Sequence, residues 1–178
     1  MAYLANYIHE SVKDDEEGQI YNQKLQFTIL IGDYLFGKMM SLLLEAGGGK
    51  LVSTFADMLA ENNEGLIIKY KIDQYSDQVV RRTKAAYYSY TFLTAAQLAG
   101  IDCEEDLDNI NDLGTNLGII MYLLYNKGSH EQIRKHILLA HQLFDMVNRD
   151  MKVVNSYLEK SLKEISEFFG SSSEVAVI

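Results

Sequence analysis

A chain of 178 residues, 48% apolar and 23% charged, can bury a substantial core and is too hydrophobic for intrinsic disorder. Sixteen basic against 25 acidic residues give a net charge of −9, the wrong sign for a surface that tracks a nucleic-acid backbone. The lone cysteine, Cys103, excludes an internal disulfide and suits a reducing compartment, and the absence of proline removes the strongest helix breaker.

Helices are therefore expected, about six of them, over residues 2–13, 22–46, 50–71, 76–99, 104–125 and 129–169. The first carries polar residues from the start, so no signal peptide is expected and the cytoplasm is the predicted location. An acidic turn over residues 14–18 follows. The second is apolar almost all round from Phe27 to Leu44, the pattern of a helix in a core or a subunit interface. Asp33 and Lys38 interrupt that run, so no transmembrane segment is expected. Gly47-Gly48-Gly49 ends it, since glycine takes a left-handed helix stop without steric cost. On the third, Leu51, Phe55, Met58, Leu59 and Asn62 share a face. Ser76 and Ser129 are candidate N-caps for the fourth and sixth, and Gly100 and Gly128 are the stops before the fifth and sixth. On the last, Ile137, Ala140, Phe144, Val147 and Met151 recur at helical spacing. The pattern predicts one all-α domain over residues 1–170 and a frayed tail over 171–178.

Several motifs fail on their chemistry. Gly47-Gly48-Gly49-Lys50 lacks the preceding strand and the Ser or Thr after lysine that a phosphate loop needs, because Leu51 stands there. Asp106, Asp108 and Asp112 near Gly114 suggest a calcium loop, but Ile110 and Ile119 occupy ligand positions. His130, His136 and His141 are six and five apart, not the four of a helical zinc pair. Cys103 has no recognisable catalytic partner.

One constellation is more specific. Gly32, Asp33, Tyr34 and Leu35 follow an apolar run; Gly65 and Lys69 follow at a fixed distance; then come Lys84-Ala85-Ala86 and Gly114, Leu117 and Gly118. In this order and spacing the chain resembles the trans-prenyltransferases, the polyprenyl diphosphate synthases, over residues 8–143. Gly32, Asp33 and Tyr34 match the family's Gly-Asp-aromatic hallmark. Gly65 keeps only the glycine of its Gly-Glu-x-x-Gln, and Lys84 matches a lysine that reaches the allylic diphosphate. The resemblance implies an isoprenoid-synthase-like helical bundle that lacks the family's N-terminal part.

Those enzymes ionise an allylic diphosphate with magnesium, which favours carboxylate oxygens in octahedral geometry. The family provides them from two Asp-Asp-x-x-Asp motifs. Here the first aligns with Glu10, Ser11, Val12, Lys13 and Asp14 after His9, leaving a degenerate pair, Glu10 and Asp14. The second aligns with Tyr125, Asn126, Lys127, Gly128 and Ser129, with no carboxylate. The Arg-Arg pair after the first motif is missing too. The resemblance thus implies no catalysis and no metal or cofactor in this chain alone, with magnesium expected in a catalytic partner.

The chain is similar in this respect to the small component of two-component hexaprenyl and heptaprenyl diphosphate synthases of menaquinone-making bacteria. That likeness implies a large catalytic synthase chain, or a second copy, as partner, with an isoprenoid chain as small-molecule ligand. It implies a role in setting product length, with Phe36, Met39, Met40 and Leu43 facing an interface or tunnel. Lys84 stands either as a residual diphosphate contact or as a salt-bridging lysine, and Asp33 as a buried, hydrogen-bonded carboxylate or a ligand. A self-associating isoprenoid- or lipid-binding protein is the alternative function. An enzyme using Glu10 and Asp14 as a minimal metal site is the third reading.

Overall fold

The computed structural model describes residues 1–11, 23–72, 77–151 and 156–171, and among these every regular element is helical. In chain order they are α1 (Ala2–Glu10), α2 (Gln23–Glu45), a 3-10 turn (Gly49–Leu51), α3 (Val52–Ile72), α4 (Asp77–Val80), a π turn (Arg81–Ala85), α5 (Ala86–Leu98), α6 (Glu104–Tyr125), α7 (His130–Met151) and α8 (Ser156–Ser171). The all-α, isoprenoid-synthase-like class expected from the sequence is the one observed. Where one domain is expected, the chain forms two compact units, Met1–Ser53 and Thr54–Ile178.

In the first unit, α1 buries Ala2, Ala5 and Asn6, with His9 one turn further along the same face. Small residues at this spacing let α2 approach closely. On α2, Gly32 and Met39 are buried and Phe36, Met40 and Leu43 are half-buried, again one stripe. The helix stops at the predicted glycines: Gly47 takes φ 76° and the Gly48 N–H donates to the Leu43 carbonyl at 2.8 Å.

The other side of α2 is open. Phe27, Leu30, Tyr34, Leu42 and Leu44 are exposed. The stretch Leu25–Glu45 is 21 residues long, has a mean hydropathy of 1.5 and is 11% buried, so by length and composition alone it is apolar enough to cross a membrane. This departs from the expectation that Asp33 and Lys38 keep it below that threshold; two charges are diluted by the aliphatic residues around them.

In the second unit the predicted helix over residues 76–99 is one continuous helix from Asp77 to Leu98, widened by the π turn in its middle. Ser76 lies outside the described residues. The predicted helix over 129–169 is two helices. Ser129 caps the first, its Oγ accepting from the Gln132 N–H at 3.2 Å. Arg134 Nη2 donates to the Phe169 carbonyl at 2.9 Å, and His141 Nε2 lies 2.7 Å from Ser166 Oγ. Twenty-five residues of unbroken helix would hold those last two groups roughly 37 Å apart, so the chain reverses and α8 packs back on α7.

The core of this unit gathers Leu113 and Ile120 of α6, Ile133, Ile137, Ala140 and Phe144 of α7, and Leu162 and Phe169 of α8. Ile137, Ala140, Phe144 and Val147 keep the spacing read from the sequence, and the Met151 side chain lies outside the described residues. Gly114 and Gly118 let α6 lie against α5 and the π turn, backbone against backbone: a Cβ on Gly118 would sit 2.6 Å from Ala85 Cα. Of the expected tail, Ser171 ends α8 and residues 172–178 lie outside the described set.

Candidate functional site

The Gly-Asp-aromatic segment has a structural meaning in the first unit. The His9 imidazole lies directly over Gly32, where any Cβ would overlap the ring. One residue on, Asp33 Oδ1 stands 3.3 Å from His9 Nε2, and Phe36 stacks on the ring with centroids 5.7 Å apart and planes 11° off parallel. Successive turns of α2 thus give His9 a gap, an acceptor and an apolar wall. Asp33 is 64% exposed at its side chain. The reading of it as a buried carboxylate is corrected: it is a surface partner of His9, and such a half-exposed pair adds little stability. Tyr34 points out to solvent.

Phe36, Met39, Met40 and Leu43, expected to face a partner, lie on the inward side of α2. Phe36 covers His9, and the Leu43 side chain lies against Gly48. The sequence places all four on one helix face; it cannot say which face is turned inward, because apolar residues surround the helix.

Of the two acids aligned with the first aspartate motif, Glu10 is among the described residues. Glu10 Oε1 accepts a hydrogen bond from Asn6 Nδ2 at 3.2 Å, back along its own helix. Asp14 lies outside the described residues. Of the positions aligned with the second motif, most are not helical. Tyr125 ends α6 with 89% exposure, the Asn126 side-chain amide donates to the Tyr122 carbonyl at 2.8 Å, Lys127 takes φ 54°, and the Gly128 N–H donates to the Leu123 carbonyl at 2.7 Å. Ser129 then caps α7. The segment stops one helix and starts the next, its polar groups spent on backbone capping. Among the described residues no three His, Cys, Asp or Glu side chains gather where they could hold a metal. Among the described residues, the donors do not gather as a magnesium–diphosphate cluster needs.

The expected diphosphate lysine, Lys84, sits half-buried in the π turn Arg81–Ala85 of the second unit. A π turn holds one residue too many for the α-helical ladder, so it leaves a backbone group to be satisfied from outside. Asn62 of α3 does this. It is 1% exposed, and its Nδ2 donates to the Thr83 carbonyl at 2.9 Å, while Thr83 Oγ1 donates to the Val79 carbonyl at 2.7 Å. Gly65, one turn along α3, gives the space: a Cβ there would come 2.7 Å from Arg82 Cβ.

A polar seam runs on either side of this point. Arg82 pairs with Glu64, and Thr54 Oγ1 donates to Gln97 Oε1 at 2.8 Å. Burial, with the charge and hydrogen-bond acceptance of Glu61, pushes the Tyr90 hydroxyl up to about 12. Tyr90 also lines a shallow 170 Å³ pocket with Thr54, Phe55 and Met58. Sequence reading singled out Gly65, Lys84 and Tyr90 but missed the pairing of Tyr90 with Glu61 and the Asn62–Thr83 bond. A signal for the last existed: an amide at a core position of an otherwise apolar stripe needs a buried partner.

The fold thus defines the class: an all-helical isoprenoid-synthase-type bundle. Among solved structures it is similar to the crystal structure of a decaprenyl diphosphate synthase from Rhodobacter capsulatus, with a TM-score of 0.65 and 15% sequence identity, over 94% of this chain and 74% of that one. No family model matches the sequence, and no curated protein matches it.

Proposed function

We propose that this chain is a non-catalytic subunit of a heterodimeric polyprenyl diphosphate synthase of the hexaprenyl or heptaprenyl kind, serving isoprenoid quinone side chains in the cytoplasm. The observation that carries the reading is the capping turn Tyr125–Ser129 on the fold of a prenyl diphosphate synthase. That turn removes both the acids and most of the helix that a second magnesium motif requires. Magnesium and its ligands then belong to a large partner chain, and this chain contributes packing surface and a share of the wall that limits product length.

The outward face of α2 supports a partner. Phe27, Leu30 and Tyr34 share one exposed face of the helix, and apolar surfaces of that kind mark association sites. A membrane is the poorer occupant, because Asp33 and Lys38 sit mid-helix and a charge at a bilayer centre costs about 2.5–3.5 kcal/mol or more. A self-associating lipid-binding protein is the second reading, supported by the same stripe.

Purified chain incubated with magnesium, an allylic diphosphate and isopentenyl diphosphate is expected to yield no product. The same assay with a full-length synthase chain from the same genome, carrying both aspartate motifs, is expected to yield a long-chain product in a 1:1 complex. Turnover that coelutes with this chain alone sinks the reading. A stable homodimer that no such partner dissociates or activates favours the second.

A further inference from the structure

The shallow pocket between α3 and α5 has a chemistry of its own. Among the described residues it is lined by Thr54, Phe55 and Met58 of α3 with Tyr90, Thr91 and Thr94 of α5. We propose that it is a binding site for a small organic ammonium ion, held with its nitrogen toward Glu61 and Asp57.

Hydrogen-bonding capacity is the first argument. A hydroxyl has one proton to give and two lone pairs that can accept. Thr54 Oγ1 donates to Gln97 Oε1 at 2.8 Å, Thr91 Oγ1 to the Tyr87 carbonyl at 2.6 Å and Thr94 Oγ1 to the Tyr90 carbonyl at 2.7 Å. The Tyr90 hydroxyl donates to the Glu61 carboxylate. Each of these hydroxyls has spent its proton, so what it still offers a ligand is an acceptor oxygen. Asn62, one helical turn beyond Met58, adds to the surplus. Its Nδ2 serves the Thr83 carbonyl, while its Oδ1 is buried with no partner among the described residues. Side chains on a helix lean back toward its N-terminus, which from Asn62 is the turn that carries Met58. A ligand rich in N–H donors answers such a surplus; a carboxylate or phosphate meets only lone pairs.

Charge and size narrow the ligand. Tyr90 feels the negative charges of both Glu61 and Asp57, which places the two carboxylates beside the pocket. Arg82, the cation that opposes them at Tyr90, is paired with Glu64. Among the described residues no ion pair occupies Glu61 or Asp57. A cation arriving here finds two uncompensated carboxylates, and Phe55 and Tyr90 bring aromatic rings, which attract cations. The volume of 170 Å³ falls below the ~300 Å³ at which sites for drug-sized molecules begin. It is close to the ~150 Å³ that accepts benzene, so the ligand has about six non-hydrogen atoms.

The inference stands apart from the subunit reading, because its test uses the full chain alone and no prenyl transfer. The probe is cyclopentylammonium chloride, with cyclopentanol and sodium cyclopentanecarboxylate as neutral and anionic counterparts, followed by saturation-transfer NMR and chemical-shift titration at low salt. The ammonium is expected to bind saturably at one site, the alcohol at least tenfold more weakly and the carboxylate not measurably. Glu61→Gln removes one charge and keeps an acceptor for Tyr90. Asp57→Asn removes the other at an exposed position, where the fold should survive, and circular dichroism checks both. Each is expected to weaken ammonium binding at least threefold. Thr91→Phe, also at an exposed position, fills the pocket and is expected to weaken it at least tenfold. Absence of saturable binding to the unaltered chain, equal affinity for the alcohol or the carboxylate, or unchanged binding by the folded variants would each overturn the proposal.

Discussion

Helices α2 and α6 are nearly the same length, 23 and 22 residues, and only α2 was read from the sequence as apolar almost all round, yet it is α6 that is the better covered. Along α6, Ile110, Leu113, Gly114, Asn116, Gly118, Ile119 and Ile120 are buried. Along Leu25–Glu45 of α2, 11% is. The apolar residues of α6 find their neighbours within this chain; those of α2 remain largely outside. The difference teaches that apolar content locates helices that must be covered, while glycines pressed against backbone mark the faces covered tightly from within. Gly114 and Gly118 both touch backbone, whereas Gly37 on α2 has nothing within 4 Å of where its Cβ would be.

Substitution at those glycines breaks the comparison most sharply. Gly118→Val is expected to cost at least ~3 kcal/mol, because the obstacle is the Ala85 backbone and no flexible side-chain end can yield. Gly37→Ala is expected to stabilise by roughly 0.5–1 kcal/mol through the helix-interior penalty of glycine alone. Urea unfolding of the two variants reads both. Similar losses in each would mean that α2 is covered as tightly as α6.

Much of this was legible in the chain. Helix positions followed from glycine punctuation and periodicity, and Glu104–Tyr125 has the bounds observed. The resemblance to prenyltransferases rested on Gly32, Gly65, Gly114 and Gly118, and in the structure each lies where a Cβ would collide with a neighbour. At each of these positions the glycine serves packing. What was not legible involves long range or rotation. Nothing local predicts that Asn62 serves the Thr83 carbonyl 21 residues away, or that Phe36 stacks on His9. The reversal between α7 and α8 was also hidden, since no proline or glycine lies between Met151 and Ser156.

The second prediction concerns the uncovered face. Tyr34→Glu places a carboxylate at the middle of the exposed stripe and is expected to weaken association by ~2 kcal/mol or more, the effect of a central aromatic anchor. The stability of the isolated chain should move by no more than about 0.5 kcal/mol. Sedimentation of the complex and thermal unfolding of the free chain separate the two effects. If Tyr34→Glu unfolds the free chain, its ring is internal and α2 resembles α6 after all.

Within the second unit, Asn62→Leu tests whether the π turn depends on α3. The leucine keeps the volume but leaves the buried Thr83 carbonyl unserved, an expected loss of ~1–3 kcal/mol. Hydrogen exchange at Arg81–Ala85 should quicken more than exchange along α6, which Asn62 does not support. Uniform quickening would show that the turn has no separate dependence on that amide.

The smallest expected effect is a pH dependence at the α6–α7 contact. The Asn116 amide donates from Nδ2 to the Asp112 carbonyl at 2.9 Å, which leaves its Oδ1 as acceptor for His136 Nδ1–H at 2.9 Å. His136 Nδ1 therefore carries the proton of the neutral ring. Burial lowers its pKa below the ordinary 6.5; the positive charges of Arg81 and Lys135 lower it further, and Asp77 opposes them. Because the folded chain resists the second proton, acidification favours the unfolded chain, whose imidazole accepts it near pH 6.5. The stabilisation is present in full above that pH and is lost as pH falls from 6.5 through the lowered folded value. His136→Gln cannot titrate and should flatten this part of the profile. Unfolding midpoints from pH 7.5 to 5 in the two proteins give the comparison, and parallel curves would assign the acid sensitivity to groups other than His136.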